Sequence, residues 1–120
     1  MAISNHDDHA RNHAAFWNGH QLTLTPAYDL APGIRSGETA SQAMAYGLNG
    51  QRESTFSGLI DSCSAYDLTR EEARARIEAI SESITTNWSA AADLARLREA
   101  DRSVLRRNQI LHPGATRGVI

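Results

Sequence analysis

Asn5-His6-Asp7-Asp8-His9-Ala10-Arg11-Asn12 opens the chain and decides how the rest of it is read. An acid at position 7, four intervening residues and an asparagine at position 12 form the core of a phosphoryl-transfer catalytic loop. In such a loop the Asp accepts the proton of the attacking hydroxyl and the Asn holds a magnesium ion. Of the two adjacent acids, the spacing to Asn12 selects Asp7, which leaves Asp8 to cap or brace the loop. Seventeen residues beyond Asn12, Ala27-Tyr28-Asp29-Leu30 sets another acid between large side chains, where a second metal-binding carboxylate would stand. Magnesium takes few oxygen ligands from protein and fills its shell with water and phosphate, so one amide oxygen and one carboxylate suffice.

The residues between the two motifs explain how they meet. Ala14-Ala15-Phe16-Trp17 and His20-Gln21-Leu22-Thr23-Leu24-Thr25 read as two strands joined by Asn18-Gly19, a strong hairpin signal. Leu22 and Leu24 point one way while Gln21, Thr23 and Thr25 point the other. Pro26 stops the second strand, because it has no N–H for a ladder. A hairpin returns the chain to near its own beginning, so Asn12 and Asp29 are expected to face one cation.

With both motifs and the hairpin in order, the chain resembles the C-terminal part of HipA-type toxin kinases, the serine/threonine kinases of bacterial type II toxin–antitoxin systems. Matched motif to motif, the resemblance implies that Asp7 takes the catalytic-acid position and that Asn12 and Asp29 take the two metal positions. Asn5, His9 and Arg11 would then support the loop or the phosphate. The resemblance implies Mg2+ and ATP, and transfer of the γ-phosphoryl group to a protein Ser or Thr. It also implies two partners, a protein substrate and a helix-turn-helix antitoxin, with DNA reached only through the antitoxin. The implied fold is α+β and mostly α, the distal part of a protein-kinase-like C-lobe: catalytic loop, β-hairpin, then helical bundle. It would occupy residues 1–112, with 113–120 as a flexible tail. The likeness continues more loosely through Met44-Ala45-Tyr46-Gly47 and the helical tail. It departs in one respect: a kinase also needs a phosphate-covering glycine loop and a nucleotide-binding Lys upstream, and this chain begins almost at the catalytic loop. It is therefore expected to be the second half of a kinase, inactive alone.

Composition narrows the class. A chain of 120 residues allows one domain with a modest core. With 41% hydrophobic and 22% charged residues it is ordinary for a globular protein. A net charge of −2 argues against broad, non-specific nucleic-acid binding. Cys63 is the single cysteine, so no internal disulfide can form. No apolar run approaches the roughly 18 residues of a membrane span, and no signal-peptide pattern is visible. A cytoplasmic location, without membrane contact, is the expectation.

Beyond the second motif, Pro32-Gly33 and Ser36-Gly37 make residues 31–41 a loop. It is either a plain connector or, in a kinase, the segment near the protein substrate. Gln42 to Leu48 reads as a short strand ending at Asn49-Gly50. Phe56, Leu59, Ile60 and Cys63 then form one helical face. Thr69-Arg70-Glu71-Glu72 is a capping box that opens a long helix. Its expected apolar stripe is Ala73, Ile77, Ile80, Ile84, Trp88 and Ala91, with a bend near Asn87 to Ser89. A last helix is expected over Glu99 to His112, ended by Pro113-Gly114.

Two other functional classes fit parts of the pattern. His6, His9 and His13 beside two carboxylates suggest a zinc or manganese site and a small metal-dependent hydrolase. Phe56, Leu59, Ile80 and Ile84 would serve a non-catalytic remnant or helical module that packs on a partner. The arginines at 102, 106, 107 and 117 have acidic neighbours in Glu99 and Asp101, as on a solvated helix face.

Overall fold

The apolar helix pattern that starts at Phe56 becomes the core. The computed structural model describes all 120 residues, in an α+β arrangement that is mostly helical. Helix α1 (Phe56–Asp61) and the 3-10 turn Cys63–Tyr66 present Phe56, Ile60 and Cys63 to Ala73 and Ile77 of α2 (Arg70–Leu94). The hydroxyl of Thr55 accepts the Gly58 N–H and starts α1. At the head of α2, Thr69 and Glu72 form the expected capping box, the Thr69 N–H donating to Glu72 Oε2 at 2.8 Å. Met1, Ala2, Leu111 and Val119 close over this cluster, so both ends of the chain reach the same core.

Helix α2 runs unbroken through Asn87 to Ser89. Its buried positions are Ala73, Ile77, Ser81 and Ala92, whereas Ile80 is exposed. The true stripe continues at Ser81 because Ser81 Oγ donates back to the Ile77 carbonyl at 2.8 Å and so needs no other partner. A helix of 25 residues is about 37 Å long, more than this core can cover. Helix α3 (Glu99–Asn108) buries no residue at all. The radius of gyration, 15.5 Å, accordingly exceeds the roughly 14 Å of a compact chain of this length.

Four further expectations give way. Helix α3 ends at Asn108, and Leu111 takes a left-handed backbone (φ 47°) that turns the chain away. Pro113-Gly114 does not merely end a helix. It starts α4 (Pro113–Thr116), capped by His112 Nδ1, which accepts the Gly114 N–H at 3.0 Å. Gly114, Ala115 and Thr116 are buried, so 113–120 packs where a loose tail was expected. Residues 42–48 form no strand; the segment is held by an isolated bridge between Ser41 and Glu53 and by Arg52, which donates to the Ala43 carbonyl at 2.7 Å.

The only sheet is the hairpin, β1 (Ala15–Trp17) against β2 (Leu22–Leu24), antiparallel with Ala15 opposite Leu24 and Trp17 opposite Leu22. Asn18–Gln21 connects the strands, and the sharp return is made by side-chain capping. Asn18 Oδ1 accepts the N–H groups of His20 and Gln21 at 2.9 and 3.0 Å, while Gly19 supplies φ +97°. Trp17, Leu22 and Leu24 share one face, and both faces of the hairpin are exposed. No helix is long and apolar enough to cross a membrane.

Candidate functional site

The opening loop is built from the backbone inward. His9 has extended geometry and ends the approach, and Ala10–Asn12 then wind one 3-10 turn, with the Asn12 N–H donating to the His9 carbonyl at 2.9 Å. That turn points the Asn12 side chain inward, where it is buried. The hairpin brings back residues 25–29, starting with the Thr25 N–H on the Ala14 carbonyl at 2.9 Å. Tyr28 then donates its hydroxyl to the Arg11 carbonyl at 2.8 Å. Asn12 Nδ2 donates to Asp29 Oδ2 at 3.1 Å. Two side-chain bonds, each spanning seventeen residues, thus lock the two motifs together.

Asp29 has a left-handed backbone, φ 57°, which Asp adopts more readily than most residues but still at a cost. The bond from Asn12 helps to hold it there. Asp7, Asn12 and Asp29 line one cleft of about 250 Å³ together with Ser4, Asn5, His6 and the turn Ala31-Pro32-Gly33. The Gly33 N–H donates to the Ser4 carbonyl at 3.2 Å, which ties the two walls at the base of the cleft. A Cβ at Gly33 would collide with that carbonyl oxygen, so the close approach requires glycine.

The remaining expected residues lie elsewhere. His9 and Arg11 do not line the cleft; Arg11 is exposed and serves it through its carbonyl. Asp8 pairs with His13 at 2.9 Å, away from Arg11. The three histidines do not converge: no three His, Cys, Asp or Glu side chains gather closely enough to hold an ion. His13 is committed to Asp8, and Nδ1 of His9 and Nε2 of His6 are buried without a protein partner. Of the four residues of the helical docking face, Phe56 belongs to the core and Leu59 packs against it, whereas Ile80 is exposed.

Several participants had no sequence signal. Ser4 is fully buried, with φ 51° and an unpartnered Oγ. Arg35, from the turn-rich loop, is buried and donates to the carbonyls of Ser54 (2.9 Å), Glu38 (2.6 Å) and Gly37 (3.3 Å). No carboxylate caps it, so its charge reaches His6. Burial first, then Arg35, the N-terminal amine and His112, hold the His6 ring below its usual pKa. Tyr28 could have been found, as a phenol beside the second acid.

One family model matches the chain, the HipA-like C-terminal domain, over residues 1–88. That span contains the loop, the hairpin, the second acid, α1 and most of α2. The chain belongs to this family. No curated protein and no solved structure matches it. The HipA-like span includes every residue lining the cleft, while α3, α4 and the C-terminal segment lie beyond it.

Proposed function

We propose that the cleft is the phosphate end of a HipA-type protein kinase site, in which Mg-ATP donates its γ-phosphoryl group to a protein Ser or Thr. The single observation that carries the reading is that Asp7, Asn12 and Asp29, apart in sequence, line one cleft with Asn12 bonded to Asp29. The donor set suits magnesium. Asn12 uses its amide nitrogen on Asp29, which leaves its oxygen and the second Asp29 oxygen as hard ligands. Ser4 Oγ and His6 Nε2 add unpartnered polar atoms in the same wall. When bound, magnesium would neutralise phosphate charge.

The chain's own residues have distinct tasks in this reading. Asp7, exposed at the cleft, orients the attacking hydroxyl and takes its proton. Asn12 and Asp29 hold the metal, and Tyr28 keeps them in register by gripping the Arg11 carbonyl. Asn5 shapes the wall; His9 and Arg11 brace the loop rather than touch phosphate. Most of the rate enhancement comes from positioning and charge neutralisation. The fold then corresponds to the distal part of a kinase C-lobe, working in the cytoplasm with a protein substrate and a helix-turn-helix antitoxin as partners.

All 12 basic residues of the chain are arginine, so a nucleotide-binding lysine has to come from another polypeptide segment. By itself the chain should bind Mg-ATP weakly, and micromolar affinity by calorimetry would contradict this. With the nucleotide-binding lobe supplied, Asp7→Ala should lower phosphorylation by about 10²–10⁴-fold, and Asp29→Ala should do the same without unfolding the protein. Retained activity in Asp29→Ala would remove the metal assignment.

A further inference from the structure

The C-terminal segment lies outside the family match, yet it contacts the two chain segments that adjoin the walls of the cleft. On one side, the Leu111 N–H donates to the Ala2 carbonyl at 2.7 Å, two residues before Ser4. On the other, Gly114 packs against Glu38 and Arg35: a Cβ there would strike the Glu38 carbonyl oxygen and come within 2.9 Å of Arg35 Nη2. Arg117 then reaches across to Glu38 Oε2 at 2.6 Å. The same segment packs against the helical core through Leu111 and Val119, and its Ile110 and Ala115 are buried.

These contacts converge on one mechanical arrangement. Arg35 binds the carbonyls of Gly37, Glu38 and Ser54, so whatever holds Glu38 also holds the loop that begins at the cleft turn Ala31-Pro32-Gly33. Ala2 leads directly into the opposite wall, Ser4-Asn5-His6. We infer that residues 110–119 form an internal strap that sets the separation of the two cleft walls, with Gly114 and Arg117 as positioning residues. Release of the strap, by a partner that takes the C-terminal segment, would loosen the cleft while leaving the α1–α2 core intact. That this governs phosphoryl transfer rests on the function proposed above; the mechanics of the strap do not.

Amide hydrogen exchange of the full chain separates the two claims, because it requires no nucleotide. Reporters are Gly33, bonded to Ser4, and Ala43, bonded to the His6 carbonyl at 2.8 Å, with Ile77 of α2 as the core reference. In Gly114→Ala, exchange at Gly33 and Ala43 should rise at least about tenfold while Ile77 keeps its protection. Unchanged protection at Gly33, or equal loss at Gly33 and Ile77, overturns the strap. If Gly114→Ala does not fold, the exposed ion pair decides. Arg117→Glu should speed Gly33 exchange about two- to fivefold, and Glu38→Arg in the same chain should restore it. No effect of the reversal, or no recovery, also overturns the inference.

Discussion

The hairpin and the α1–α2 pair are built from equally apolar residues, and they meet opposite fates. Phe56 and Ile60 are 3% and 2% exposed, whereas Trp17, Leu22 and Leu24 are 63%, 69% and 76% exposed. An isolated two-stranded ribbon is marginal in water, yet this one keeps its register because its base is fastened by Asn12, Tyr28 and Thr25. The helices are held by area and the hairpin by hydrogen bonds. Burial across the chain divides the same way. Polar Ser4 and Asn12 are the buried residues that line the cleft, and Phe56, Ile60, Cys63, Ala73 and Ile77 form the buried cluster on the helical side.

The largest effect should come from the helical side. Ile60→Ala removes a buried branched side chain from a small cluster and should cost about 2–5 kcal/mol in urea unfolding. A cost below about 1 kcal/mol would mean that the core is not where stability resides. Next comes the fastening of the ribbon. Asn12→Ala deletes the bond to Asp29 at a buried position and should cost about 1–3 kcal/mol. A change within about 0.5 kcal/mol would break the comparison, because the hairpin base would then be floating.

What the sequence made legible follows this same division. Helical periodicity located Phe56, Leu59, Ile60 and Cys63, and the capping box located the start of α2 to the residue. Spacing brought Asp7, Asn12 and Asp29 to one cleft, since a short hairpin leaves the chain few ways to return. The misreadings lie where long-range polar contacts decide. Ser81 replaces Ile80 on the buried stripe because a local hydrogen bond satisfies its hydroxyl. Residues 42–48 lose their strand because Gln42 Nε2 is drawn to Ser54 Oγ at 2.9 Å and Arg52 caps Ala43. Arg35 had no periodic signature at all; its partners are carbonyls of a loop and of Ser54, nineteen residues away.

A smaller effect, of definite sign, comes from pH. His6 has its folded pKa held below the ordinary 6.5, chiefly by burial and then by Arg35, the N-terminal amine and His112. The unfolded chain therefore takes up the proton more readily than the folded one. The stability contributed by the neutral ring is complete above about pH 6.5 and is lost as pH falls through the lower, folded value. Urea midpoints at pH 7.5 and pH 5 should drop more steeply in the wild type than in His6→Gln. Equal slopes would show that the cationic surroundings of His6 do not matter, and that the cleft side is less tightly packed than its contacts imply.

The smallest expected effect tests the hairpin face itself. Trp17→Ala and Leu24→Ala remove large side chains that the folded chain leaves in water, so each should change stability by no more than about 0.5 kcal/mol. The double variant should be additive within a similar margin, since Trp17 lies opposite Leu22 and Leu24 opposite Ala15. A loss near that of Ile60→Ala would mean that the face is covered in solution, and dilution would then show whether a second copy covers it, because only an intermolecular contact weakens with concentration. Two apolar surfaces with the same chemistry would in that case differ only in whose chain buries them.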